Sequence, residues 1–454
     1  MRALRTLTIL LVVSVSLVLL SPTVSADEGD IVVLSEEVTS QFPGGISFNI
    51  SLKSSSPINE VRVFYRSEKT AAAAYGLLAF EPGQQVEAQY TLRAGSGSQA
   101  GSGPFVPAGA TFRYHFEVRN KAGDVLLTKP QQFVYLDPRF EWMTISEGPV
   151  TVYHYGPTEK RAQDMLQAAL HAVTKMSKIL GVDEVEPINI VAYNNYRHMI
   201  PALPPRPQAV AEELVTQGQA FTNFRVLVVL AFDEGVQGIT SHEVTHVVVD
   251  DAAGRAYGIL PVWLNEGLAE FGNIAPDESY DNALLYAAYT RRLRPLWYLQ
   301  TFSGEPDDVI IAYGQGRSVI AYLINTYGEE KIARLMKELS NTLSVDRALM
   351  RAYGFDQRGL DREWRLSIGL RPLPEEGESE GPQPAPPALE STPESVVPPT
   401  PAPQEKESTR KASRSSCNRS PGPAANVPAD ALVLLLLAGP ISLASWRRFR
   451  GPRA

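Results

Sequence analysis

Apolar and polar residues alternate with period two in three stretches of the first third of the chain. In residues 44–52, Ile46, Phe48, Ile50 and Leu52 alternate with Ser47, Asn49 and Ser51. In residues 61–65, Val61, Val63 and Tyr65 face one way. In residues 112–118, Phe112, Tyr114, Phe116 and Val118 alternate with Arg113, His115 and Glu117. Period two puts one set of side chains on one face of a strand. Turn formers at 54–57 and 94–104 separate the stretches. Residues 27–138 therefore read as all-β, an immunoglobulin- or fibronectin-III-like sandwich.

The period changes after residue 139. Residues 150–155 read as a strand. Thr158 then starts a helix that stops before Gly181. Its stripe of Met165, Leu166, Ala169, Val173, Met176 and Leu180 has core spacing. Residues 187–193 and 225–232 read as strands, with a proline-rich loop at 201–207 between them. Helices follow, with runs expected at 277–293, 317–327, 328–339 and 361–368. The region 139–370 is thus α+β, a small sheet followed by a helical half. His115, His154, His171 and His198 lie singly in these patterns and read as structural.

Residues 1–26 have the form of a signal peptide: Arg2 and Arg5, an apolar run over 7–20, then small residues ending at Ala26. Residues 371–428 are rich in Pro, Glu, Ser and Thr, a composition that buries too little apolar surface to fold, and read as an extended stalk. Residues 429–446 are almost wholly apolar and would span about 27 Å as a helix. Trp446 closes the segment, and the arginines of the 447–454 tail follow. This predicts a transmembrane or sorting segment, with the body anchored to the cell membrane and extracytoplasmic. Cys417 is the only cysteine, so no intrachain disulfide forms. The net charge of −8 and the lack of a basic, aromatic-laced patch argue against nucleic acid as a partner.

The chemistry lies in His242-Glu243-Val244-Thr245-His246. On a helix, residues four apart share a face, so His242 and His246 can grip one metal ion. Glu243 lies about 100° round the helix and can reach a water on that metal. A catalytic centre needs a third protein ligand and an open position. Glu266, in Trp263-Leu264-Asn265-Glu266-Gly267, is the candidate, with nineteen residues between it and His246. Glu270 lies four residues further on, on the same helix face.

These two motifs resemble the gluzincin clan of zinc metallopeptidases, which includes thermolysin and the aminopeptidase-N-like enzymes. The resemblance is to the peptidase MA-like members and spans about residues 145–370. It implies that His242, His246 and Glu266 hold Zn2+, that Glu243 is the general base, and that Asn265 and Glu270 hold the two imidazoles. It also aligns Tyr313-Gly314-Gln315-Gly316 with a segment whose tyrosine stabilises an oxyanion; Gln315 replaces a lysine of that segment. The strand motif with which aminopeptidases capture a free amine is not found between Ala211 and Ser241. The expectation is therefore an endopeptidase acting on peptide or protein substrates at the cell surface. The alternative is a non-catalytic surface binding or adhesion protein with a structural metal.

Overall fold

A computed structural model describes residues 30–374, apart from 68, 70–72, 96–102, 205–215, 232–234 and 302–305, together with 433–435. The expected signal peptide, residues 375–428 of the stalk, Cys417 and the basic tail lie outside the described residues.

Seven strands make the first part: β1 (Val32–Ser40), β2 (Gly45–Ser67), β3 (Ala74–Leu77), β4 (Gly83–Arg93), β5 (Ala110–Asn120), β6 (Val125–Leu127) and β7 (Gln131–Tyr135). β2 organises them. Between Gly45 and Lys53 it lies between β1 and β4, and between Ile58 and Ser67 it pairs with β5 and β3, all antiparallel. The turn expected at 54–57 is corrected: the chain stays extended there and absorbs the irregularity as register shifts beside Ile58. Polar ties hold this crossing. The Ser54 hydroxyl donates to Asp30 Oδ2 at 2.7 Å, and Asn120 Nδ2 donates to Ser54 Oγ at 3.1 Å. The alternating residues Ile46, Phe48, Ile50, Leu52, Val61 and Val63 are buried as their period requires.

The second part is built on a six-stranded sheet. Its strands are β8 (Met143–Glu147), β9 (Val150–His154), β10 (Ile188–Tyr193), β11 (Thr216–Phe221), β12 (Val226–Leu230) and β13 (Val433–Leu435), in the order β13-β11-β12-β10-β9-β8. β9, β10 and β12 run parallel, and β11 is antiparallel to β12. The longer helices are α1 (Glu159–Leu180), α2 (Val236–Ala253), α3 (Val262–Gly272), α4 (Glu278–Tyr289), α5 (Pro306–Tyr327), α6 (Glu329–Thr342), α7 (Val345–Tyr353) and α8 (Gln357–Ser367). α5 starts well before the expected residue 317, which puts Tyr313 inside the helix rather than at its start.

Both faces of this sheet are buried. Ile188, Ile190, Leu227 and Val229 pack with α1 and α2 in one core. Val191, Tyr193, Val226, Val228 and Leu230 face the other way and share a core with Phe48, Phe116, Val118 and Tyr135 of the first part. This explains the unbroken apolar run of β12, which a sheet covered on one side only would not need. The N-terminal strands are thus the second cover of the sheet that supports α2.

The membrane anchor and the location inferred from it are overturned. Among the described residues, no helix is long and apolar enough to cross a membrane. Within the expected span 429–446, Val433–Leu435 is an extended strand paired antiparallel with β11. An apolar run satisfies its backbone as well on a sheet edge as in a helix, and the hydropathy pattern does not distinguish the two.

The shared core makes a prediction. Phe116→Ala, in β5, should cost about 3–5 kcal/mol and lower the unfolding midpoint of the whole body in one transition. Calorimetry would check this. A helical part that melts separately at its parental temperature would show that the two parts are independent.

Candidate metal centre

α2 carries His242, Glu243 and His246 and is buried along almost its whole length. It packs against α1, α3, α6, β11 and β12. With no face in water, its polar side chains need partners from neighbouring elements.

α3 supplies them. It approaches α2 after the turn at 254–259 and brings Asn265, Glu266 and Glu270 against the two imidazoles. His242 Nε2 and His246 Nε2 lie 3.1 Å apart, and Glu266 Oε2 lies 3.3 Å from the first and 3.5 Å from the second. A tetrahedral centre with bonds of about 2.0–2.1 Å has its ligand atoms about 3.3–3.4 Å apart. The triangle fits one such ion. Neither oxygen of Glu266 has a hydrogen-bond partner, although the residue is buried. Such a carboxylate is what a metal site requires. These three residues form a group that could hold a metal ion.

The far nitrogens of the rings are also placed. His246 Nδ1 meets Asn265 Oδ1 at 3.1 Å, and His242 Nδ1 lies 2.7 Å from Glu270 Oε1. Asn273 Nδ2 donates to the other oxygen of Glu270 at 3.3 Å. Partners on Nδ1 turn both Nε2 lone pairs toward the common point.

The electrostatics suit a cation. Burial alone would lower the His242 imidazole, but the Glu270 and Glu266 carboxylates overcome it and lift it to about 10. Burial would raise Glu266; the neighbouring His246 and His242 hold it down to about 2. In this state a proton on the imidazole takes the place of the positive charge, and a metal must displace it.

Glu243 lies beside the triangle and is fully buried, with both carboxylate oxygens lacking hydrogen-bond partners. Burial lifts its pKa to about 7, against the pull of the two imidazoles. It sits against β11. A Cβ on Gly218 would stand 2.9 Å from Glu243 Oε1 and 2.6 Å from Ile239 Cγ2, so the strand gives up a side chain there.

Tyr313 reaches the site from α5. Its ring centroid is 6.0 Å from that of His242, and burial keeps its phenol protonated. α5 comes this close because Gly267 and Gly316 face each other; a Cβ on Gly267 would stand 2.5 Å from the Gly316 carbonyl oxygen. Tyr280 of α4 stacks on Tyr313 with centroids 5.5 Å apart. Sequence reasoning missed both Tyr280 and Gly218. Tyr280 lies in the expected helix but carries no motif, and β11 has no readable strand pattern. Gln315 does not join the site; its side chain amide donates to the Arg294 carbonyl at 2.6 Å. His154 is 3.2 Å from Thr158, and His198 is 2.9 Å from Tyr155, both away from the triangle.

Residues 168–369 match the family model described as the peptidase MA superfamily. That match and the His242, His246, Glu266 cluster support a metallopeptidase in general. No curated protein matches the chain. Solved structures similar to part of it include the following two. One, a bromine derivative of BhCBM56, shows 12% identity over 22% of this chain and 88% of that chain, with a TM-score of 0.15. The other, a family 56 carbohydrate-binding module that binds β-1,3-glucan, shows 16% identity over 23% of this chain and 98% of its own, with a TM-score of 0.15. Likeness at that score carries no conclusion here.

Ligand and supporting residue should differ in metal affinity. Loss of a residue that orients a ligand usually costs about 10–100-fold, and loss of a ligand should cost more. Glu266→Ala should therefore lose metal at chelator concentrations that Glu270→Ala survives. Metal retained after graded chelator dialysis, with folding checked by circular dichroism, measures this. The reverse order would exchange the two roles.

Proposed function

We propose, from the membership of residues 168–369 in the peptidase MA superfamily, that this protein is a zinc-dependent peptidase that cleaves within peptide or protein substrates. The observation that carries the reading is the triangle of donor atoms, with edges of 3.1, 3.3 and 3.5 Å, beside a buried Glu243 that has no hydrogen-bond partner. His242, His246 and Glu266 would hold the ion. Zinc is favoured because two imidazoles and one carboxylate with a further position free are its usual catalytic set. When bound, it supplies Lewis acidity and lowers the pKa of water.

The chain's own groups do the rest. Glu243 accepts the proton of the attacking water and passes it to the leaving amine. Its raised pKa of about 7 suits a group that both takes and gives a proton. Tyr313, protonated and near His242, donates its O–H to the developing oxyanion. Asn265 and Glu270 keep the imidazoles aimed. Tyr280, stacked on Tyr313, limits the swing of the phenol.

The endopeptidase reading rests on two features. The amine-capturing motif is missing, and nineteen residues separate His246 from Glu266, a spacing that resembles thermolysin more than the aminopeptidases. In the alternative, a structural metal in a binding protein, Glu243 has no task.

Glu243→Gln tests the choice. It should keep stoichiometric metal and lose at least about 10²–10⁴-fold in turnover against a peptide library. Turnover near that of the parent, with metal in place, would remove Glu243 from the mechanism. A parent that binds metal and cleaves nothing would favour the structural reading.

A further inference from the structure

α3 ends at Gly272, and Asn273 turns the chain out of it with φ −61° and ψ 122°. The Asn273 side chain makes two bonds there. Its Oδ1 accepts from the Ala275 N–H at 2.9 Å, an Asx turn, and its Nδ2 donates to Glu270 Oε2 at 3.3 Å. The first bond decides the second. A backbone N–H must meet the amide oxygen, so the amide nitrogen is the end that faces Glu270.

The segment that follows is clasped to α2. The Ile274 N–H donates to the hydroxyl oxygen of Ser241, the residue before His242, at 3.0 Å. That hydroxyl in turn donates within α2, with the Gln237 and Gly238 carbonyls at 2.9 and 3.0 Å. Gly238 admits the approach: a Cβ there would stand 2.8 Å from the Ala275 carbonyl oxygen and 3.1 Å from Asn273 Oδ1. The turn that holds Asn273 is therefore fixed to the helix that carries the two histidines.

The contacts run on to the donor triangle. Asn273 holds Oε2 of Glu270, and Oε1 of the same carboxylate lies 2.7 Å from His242 Nδ1. The Nε2 of that ring is one corner of the triangle. A carboxylate held at one oxygen can turn about its last bond. Held at both, it sets the plane of the imidazole.

We propose that Asn273 is a positioning residue: acting through Glu270, it holds the His242 ring in the plane that aims Nε2 into the triangle. The proposal rests on the reading of that triangle as a metal site. Asparagine suits the place in both its atoms. Aspartate would keep the Ala275 bond but set a like charge against Glu270 Oε2, and Oε1 would swing off the ring. Alanine would lose both bonds.

The test is the Zn2+ affinity of the full chain, measured by competition with a chromophoric chelator, with folding of the metal-free protein followed by circular dichroism. Asn273→Asp should bind Zn2+ at least about tenfold more weakly than the parent, the low end for a group that orients a ligand. Asn273→Ala should move the same way. The deciding measurement repeats each substitution in a Glu270→Ala background. There the loss should shrink to within about twofold, because two residues on one path do not add. A purely structural role would cost the same in both backgrounds. Unchanged affinity in the folded variants, or an equal loss with and without Glu270, overturns the proposal. If Asn273→Asp does not fold, the Asn273→Ala pair decides; if neither folds, Asn273 is a folding residue and the proposal is overturned. A parent that binds no Zn2+ overturns the metal reading itself, and this proposal with it.

Discussion

A helix buried on every side cannot leave a polar group to water. α2 carries His242, Glu243 and His246 at 0, 0 and 2% exposure. Burying such groups without partners costs several kcal/mol each, so the elements around α2 are arranged to meet them. α3 places a carboxylate or an amide behind each imidazole and Glu266 in front of both. Gly267 and Gly316 bring α5 close enough for Tyr313 to join. Gly218 clears space for Glu243. The three carboxylates exceed the charge of neutral imidazoles. The cluster is balanced only by a cation or by protons, which is why His242 holds its proton so strongly.

The helix in turn needs a firm floor. β10 and β12 provide it, and both are buried on two faces. In many sheets of this kind helices cover both sides. Here α1 and α2 cover one side and the N-terminal strands the other, through Val191, Tyr193, Val226, Val228 and Leu230. Arg225 adds a polar tie on the helix side, donating to Asp251 at 2.6 Å just beyond the histidine-bearing turns of α2. The N-terminal part is therefore a structural layer of the body that carries the donor triangle, whatever else its outer surface binds.

The parts of this design that could be read from sequence are those in which one residue type at one spacing has few other uses. His242, His246 and Glu266 converge as their spacing foretold, and Glu270 and Asn265 lie behind the rings. The alternation of 44–52 and 112–118 marks buried strand faces correctly. The rest depends on neighbours that are distant in sequence. β11, Thr216–Phe221, is mostly polar or small and takes its extended form from pairing with β12. Ser54–Pro57 looks like a turn, yet Asp30 and Asn120 tie it straight. α5 starts early, with Asp307 and Asp308 in its first turn, a favourable charge at a helix N-terminus that the pattern around Tyr313 hides. The apolar run near the C-terminus has the hydropathy of a membrane helix, but Val433–Leu435 pairs as a strand.

Glu243 separates the two readings of the site. A metal that only holds the fold together is usually enclosed by four protein ligands, and a glutamate next to such a site would either join it or give way to an apolar residue. Glu243 does neither. Its oxygens are buried, without hydrogen-bond partners, and lifted toward neutrality. β11 also lacks a side chain at Gly218, where any Cβ would crowd it. Two separate elements thus bear a cost for keeping one carboxylate in place beside the donor triangle. A stabilising role does not account for that cost, because replacing Glu243 by a well-packed apolar residue would remove it. A group that must take a proton and give it back accounts for both the burial and the missing partner.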